Sequence, residues 1–321
     1  MTKVAVIQAA AIPFEPMLSV EKAGHILERV SAEQAELAVF PEAYLGGYPK
    51  GSHFGSVVGT RHNDGRKLYQ RYVAGAVSLD GPELALLAQK VSETNVHVVM
   101  GIIEKLGRTL YCTAVTLAPN KGIVGIHRKL MPTGLERLIW GFGDGSTLQT
   151  VDTPMGRIGN VICWENYMPA LRQAMYAQGT EIYCTPTADD RPTWLSSMVH
   201  IALEGRVFVL SACQAIKLNA YPDYFQTQFD LDHIGAGDYL MRGGSCIISP
   251  YGEVLAGPVF DEEVELYADI DLAMTQQTNL DFDATGHYSR PDIFNLHVNT
   301  SARNAVDFSA DVPQQTADTA P

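Results

Sequence analysis

Apolar residues occur along this chain in short continuous runs, separated by stretches in which polar and apolar positions alternate at helical spacing. Residues 4–10 are apolar except for Gln8, and residues 37–40 are wholly apolar. Runs of that kind belong to strands covered on both faces. Residues 97–103, 158–162, 181–185 and 207–212 repeat the pattern. From Ser19, a candidate cap, to about Ala35, residues Val20, Ala23, Ile26, Leu27 and Val30 form one helical stripe. Further helices are predicted from Gly81-Pro82 to Thr94, over 169–178 and over 194–206. Residues 111–117 and 123–128 flank Pro119-Asn120-Lys121-Gly122, a hairpin signal, and 246–256 form a second hairpin turning at Pro250-Tyr251-Gly252.

The two hairpins resemble each other, TAVTLAPNKGIVG beside GSCIISPYGEVLAG, so each half of the chain holds helix–strand units and one hairpin. The expected fold is α/β, a four-layer α-β-β-α sandwich of two mixed sheets. A doubly wound dinucleotide-binding sheet competes, but the hairpins and the lack of any GxGxxG or GxxxxGK run speak against it. From about residue 300 the composition turns small and polar, which predicts one domain over 1–299 and a disordered tail over 300–321.

Composition changes this picture little. The 23 basic and 36 acidic residues leave a net charge of −13, which argues against nucleic acid or an anionic membrane surface as partner. No run reaches the roughly 18 apolar residues of a membrane span, and the first ten residues are too short for a signal-peptide core, so a cytoplasmic location is expected. Five widely spaced cysteines with no CxxC pair predict neither a disulfide framework nor a zinc site.

Three strand ends carry unusual side chains: Glu42 after AVFP, Lys129 after VGIHR and Cys163 after NVI. Ionisable groups just past buried strands occupy the crevice where α/β folds commonly place their chemistry. A thiol near pKa 8.5 is a poor nucleophile at neutral pH until a base takes its proton. Glu42 could be that base, Lys129 could stabilise an anion, and the helix from Pro169 could turn its positive end toward the sulfur. Cys112, Cys184, Cys213 and Cys246 sit in strand-like surroundings and read as core. His200 and Glu204, four apart, read as a structural helix pair, and Gly141, Gly143 and Gly145 as a tight surface turn.

The segments AVFPEAYLGGYPKG (38–51), HRKLMPTGLERLIWGFGDGSTL (127–148), GRIGNVICWENYMP (156–169), PTWLSSMVHIALEGRVFVLSACQ (192–214) and DATGHYSRPDIF (283–294) resemble the nitrilase branch of the carbon–nitrogen hydrolase superfamily, in the family's order. The resemblance implies the α-β-β-α fold and a Glu-Lys-Cys triad falling on Glu42, Lys129 and Cys163, with a second acid, Glu136, in the PTxxER stretch. It implies hydrolysis of organic nitriles to acid and ammonia through a cysteine thioimidate and thioester, with no cofactor and no metal. It places Tyr48, Trp164 and the stretch 185–194, Thr187 among it, around the substrate. It also implies a homo-oligomer built from dimers that extend into spirals. Two positions depart from common family patterns, Gly134, which suggests a wider pocket, and Asn166 after Cys-Trp-Glu. Amidase, carbamoyl hydrolase and cyanide hydrolase activities compete within the family, and a non-enzymatic scaffold is the rival from outside it.

Overall fold

Nearly every apolar run is a strand in the computed structural model, which describes residues 1–226, 235, 237–304 and 306. In chain order the first half holds β1 (Thr2–Gln8), α1 (Pro16–Ala32), β2 (Leu37–Val39), a small ribbon of β3 (Ser56–Val57) and β4 (Thr60–Arg61), α2 (Asn63–Ala74), α3 (Pro82–Thr94), β5 (His97–Leu106), β6 (Thr109–Ala118) and β7 (Gly122–Arg128). The second half holds β8 (Val151–Thr153), β9 (Gly156–Asn160), α4 (Pro169–Ala177), β10 (Ile182–Thr187), α5 (Thr193–Gly205) and β11 (Phe208–Cys213). It continues through β12 (Ala215–Lys217), α6 (Asp223–Gln226), β13 (Tyr239–Arg242), β14 (Cys246–Ile248), β15 (Val254–Ala256), β16 (Val264–Ile270) and α7 (Ala273–Thr278).

The two large sheets share one plan. In the first, β16 runs antiparallel to β1, then β1, β2 and β5 are parallel, and the β6–β7 hairpin closes the far edge. In the second, β8 is antiparallel to β9, then β9, β10 and β11 are parallel, and the β14–β15 hairpin closes the edge. The likeness of the two hairpin sequences therefore reports a repeated topology.

Strand alternation divides the core into layers. Ala5, Ile7, Ala38, Val98 and Met100 pack against Val20, Ile26, Leu27, Leu84 and Val91 of α1 and α3. Val4, Val6, Leu37, Val39 and Val99, of opposite parity, meet Ile158, Ile182, Phe208 and Leu210 of the other sheet. Tyr183, Val207 and Val209 lie under Leu171, Met175, Met198 and Ile201 of α4 and α5. The order is α-β-β-α, as expected, and the doubly wound alternative is excluded.

Several local readings change. Helix α1 begins at Pro16, which suits the first turn, and Ser19 is no cap: its hydroxyl bonds both the N–H and the carbonyl of Ile12. Strand β16 and the ribbon went unread, because β16 is an edge strand that mixes polar and apolar residues (VELYADI) and the ribbon strands are two residues each. The glycines at 141–145 are packing positions rather than a surface turn: a Cβ on Gly143 would sit 2.2 Å from the Arg128 carbonyl, and one on Gly145 1.9 Å from that of Asn299. Glu204 accepts from Arg172 and Tyr176 and so ties α5 to α4, with His200 at 3.6 Å on the surface. No helix among the described residues is long and apolar enough to cross a membrane. Of the tail assigned from 300, the N–H of Arg303 donates to Asp144, while residues 305 and 307–321 lie outside the described residues.

Candidate active site

The strand ends of the two sheets deliver Glu42, Lys129 and Cys163 to one buried place. Beyond β2 the chain folds around Gly101 of β5, whose N–H donates to the Pro41 carbonyl while its own carbonyl accepts from Leu45. A Cβ on Gly101 would lie 2.3 Å from the Pro41 oxygen and 2.6 Å from the Glu42 Cα. A glycine inside a strand often marks such an approach. Gly101→Ala is therefore expected to push Glu42 out of place and to lower kcat about 100-fold, as misplacement of about 1 Å can do. Gly107→Ala in the β5–β6 turn, where a Cβ meets nothing within 4 Å, should cost stability alone through its φ of +60°. Steady-state kinetics and melting temperatures of the two variants check this.

Lys129 follows β7, with His127 on the same inward face and Arg128 turned outward to Glu104. Its ammonium is buried and donates to Glu42 Oε1 at 2.7 Å and to Glu136 Oε2 at 2.8 Å. Burial alone would drive this amine toward the neutral form, but Glu42, Cys163 and Glu136 outweigh it and hold its pKa well above the ordinary value. Glu136 also accepts from the Tyr48 hydroxyl at 2.6 Å and the Thr133 N–H at 2.6 Å, and Trp140 places its ring 5.6 Å from the ammonium. One cation thus sits between two carboxylates. Burial pushes the Glu42 carboxyl up, Lys129 pulls it down and Glu136 pushes it up again, for a net rise. Its second oxygen, Oε2, is buried with no hydrogen-bond partner, an acceptor left open in the site.

Cys163 opens a tight helical turn (Cys163–Tyr167) directly after β9, so the positive end near the sulfur belongs to this turn and not to α4 as expected. Its φ of +51° is left-handed, a strained conformation worth roughly 1–2 kcal/mol that turns the side chain out of the strand direction. The N–H of Trp164, near the start of the turn, has no intrahelical carbonyl to bond. Burial, reinforced by Glu42 and opposed by Lys129, raises the thiol pKa. At neutral pH the sulfur is thus a protonated thiol with an open carboxylate oxygen as the candidate acceptor.

The sulfur lines a cavity of about 220 Å³ together with Tyr48, Lys50, Thr133, Glu136, Trp164 and residues 188–191. A second cavity of about 350 Å³ shares Tyr48, Lys50, Thr133, Glu136 and Ala188 and extends between residues 48–54 and 133–139. A larger one, about 1040 Å³, lies between α4 and residues 284–300, away from all of these groups. Tyr48 and Trp164 therefore face the space beside the sulfur. Trp164 is pinned there, its indole N–H donating to Asp189 at 2.8 Å and Arg191 lying 4.9 Å over its ring. Thr187, grouped above with the substrate side chains, is fully buried outside the cavity walls and donates its hydroxyl to the Cys163 sulfur at 3.2 Å. Gly134 does not widen the pocket: it is exposed, a Cβ there meets nothing within 4 Å, and its φ of +55° explains the glycine. Asn166 points away from the cavity and braces the turn through the Val161 and Cys163 carbonyls.

Other residues of the site went unrecognised. Cys112, read as core, donates to Glu42 Oε1 at 3.3 Å. Gln214 donates to the Glu42 carbonyl at 3.1 Å and accepts from the Ala11 N–H. Gln214 stands just past a buried strand as the other three do, but its amide does not ionise, so the signal that marked them passed it over.

The family model described as carbon–nitrogen hydrolase matches residues 3–280. A nitrilase of Bradyrhizobium diazoefficiens is 52% identical over 304 residues, covering 95% of this chain and 94% of its own length. An aliphatic nitrilase of Sinorhizobium fredii is 49% identical, covering 95% of this chain and 99% of its own. Among solved structures, a carbon–nitrogen hydrolase from Helicobacter pylori superposes with a TM-score of 0.71 at 20% identity, covering 92% of this chain and 97% of its own, a likeness of fold.

Proposed function

This chain belongs to the carbon–nitrogen hydrolase family, in its nitrilase branch, and we propose that it hydrolyses organic nitriles to carboxylic acid and ammonia with Cys163 as nucleophile, Glu42 as base and Lys129 as electrostatic partner. The observation that carries these roles is the open, buried oxygen of Glu42 in a cluster with Lys129 and Glu136 whose charges all act on the Cys163 thiol. Relatives named as nitrilases support the nitrile as substrate, and the amidase and cyanide readings are not favoured.

In the first step Cys163 sulfur bonds to the nitrile carbon while its proton passes to Glu42 and on to the nitrogen, giving a thioimidate. Lys129 and the Trp164 N–H offset the charge that develops on nitrogen. Glu42 then takes a proton from a water whose oxygen adds to the same carbon. It returns that proton to nitrogen, and the proton of the added hydroxyl follows by the same carboxylate. As the hydroxyl oxygen becomes the carbonyl of the thioester, the C–N bond breaks and ammonia leaves. A second water, activated the same way, releases the acid and restores the thiol. One nitrile and two waters give one acid and one ammonia. Glu136 holds Lys129 and the Tyr48 hydroxyl in place throughout, and Thr187 steadies the sulfur from behind.

A panel of aliphatic, arylaceto- and aromatic nitriles in oxygen-18 water tests this reading. Acid carrying two labelled oxygens, with equimolar ammonia, is the expected product, and conversion of amides but not nitriles would reject it.

The proposal extends to the setting of the enzyme. The five cysteines are free, in keeping with a reducing, cytoplasmic compartment. Leu280, Tyr288, Ile293 and Phe294 are exposed apolar side chains along the C-terminal segment, which supports a dimer-based oligomer able to extend into spirals. The domain and tail assigned from the sequence, 1–299 and 300–321, belong to the same proposal.

A further inference from the structure

We infer that Glu165, with His127, is a buried clamp that sets the nucleophile against the ammonium, making Glu165 a positioning residue for the reaction proposed above, on which this inference rests. Glu165 Oε2 accepts from the N–H of Ile162, the residue before Cys163, at 2.9 Å. Its other oxygen, Oε1, accepts from the N–H of Leu130, the residue after Lys129, at 2.6 Å. The His127 imidazole lies with Nε2 3.0 Å from Oε2 and 3.3 Å from Oε1, and both residues are 1% exposed. The spacing is reciprocal: Glu165 stands two residues after Cys163, and His127 two residues before Lys129.

A carboxylate that merely capped its own turn would need the Ile162 N–H alone. This one turns its second oxygen to the other sheet, and it brings a histidine into a site closed to water. Burial would push that imidazole toward its neutral form, yet Glu165 prevails and holds its pKa above the ordinary value.

The reason lies in how the site is divided. Cys163 follows β9 of the second sheet and Lys129 follows β7 of the first. The sheets meet mostly through apolar side chains, a non-directional contact, with the Asn160 amide donating to the Thr116 hydroxyl as one polar link between them. Reacting groups must be held to roughly 0.5 Å. Hydrogen bonds donated to one carboxylate by the backbone N–H beside each group supply direction at the site itself.

The test compares Glu165→Gln, His127→Gln and His127→Leu with the wild type on a nitrile it hydrolyses, each variant assayed below its melting temperature. The expected result for Glu165→Gln is a kcat lower by about 100-fold with KM within about 3-fold, the size and form of a misplacement effect. His127→Gln can still donate to Glu165 and should keep kcat within about 3-fold, whereas His127→Leu should lose about 10-fold or more. The double variant Glu165→Gln/His127→Leu should be no slower than Glu165→Gln alone, because the two act as a unit. Wild-type kcat in folded Glu165→Gln, equal kcat in the two His127 variants, or a change in KM alone would overturn the clamp. Should Glu165→Gln not fold, the two His127 variants decide. A wild-type chain inert toward nitriles would instead reject the function and the clamp with it.

Discussion

Cys163→Ala is expected to remove nitrile hydrolysis, lowering kcat by about ten-thousand-fold or more, as loss of a covalent nucleophile does. The folded state should survive. Alanine occupies the φ of +51° at a cost similar to that of cysteine, so the strain in the turn is unchanged. The substitution removes one buried hydrogen bond, from the Thr187 hydroxyl to the sulfur, worth about 1 kcal/mol. Turnover by ammonia release and melting by circular dichroism measure the two effects separately. Hydrolysis persisting near the wild-type rate would exclude Cys163 as nucleophile, and collapse of the fold would mean that the thiol supports more of the turn than this one bond indicates.

Glu42→Gln should come next in size, a loss of roughly a thousand-fold or more in kcat/KM, as when a base acting with its nucleophile is removed. The amide keeps the shape and can still accept from Lys129 through its oxygen. What it cannot do is take a proton at the position of Oε2. The pH dependence gives a second signature. Burial raises the Glu42 pKa despite Lys129, so the wild-type kcat/KM should fall with acid at a pH above the usual carboxylate range. That acid limb should vanish or move in the variant's residual activity.

The same shift makes a statement about stability. A carboxyl whose pKa is raised on folding favours the native state when protonated, and this contribution is lost as pH rises from the unfolded value through the folded one. At neutral pH wild-type Glu42 is thus a burden: it is the second carboxylate around a single ammonium. Glu42→Gln leaves Lys129 and Glu136 as a neutral pair, so the variant should be at least as stable as the wild type at pH 7, with any gain shrinking toward pH 4. Melting temperatures across that range check the sign, and a variant less stable at pH 7 than the wild type would contradict it.

The apolar runs at 4–10, 37–40 and 158–162 were readable as buried strands because a strand covered on both faces has no other workable composition. Glu42, Lys129 and Cys163 stood out because each breaks such a run at its end, and the two hairpins disclosed the duplicated sheet. The resemblance grouped Thr187 with the substrate side chains, and only the fold shows that its hydroxyl meets the sulfur, because an even-odd pattern cannot say what a strand-end hydroxyl faces. The departure from the family pattern at Gly134 suggested a wider pocket, when a left-handed backbone at φ +55° required the glycine.

What the chain alone determined is therefore local: where strands begin and end, and which ionisable side chains lie just beyond them. Folding decided which of those ends converge. Cys112, Gln214, Glu165 and His127 gained their places from partners between 35 and 203 residues away, through bonds that exist only once the sheets have formed and stacked. Hydrophobic patterning is a property of neighbours along the backbone, whereas a hydrogen bond across layers needs the layers first.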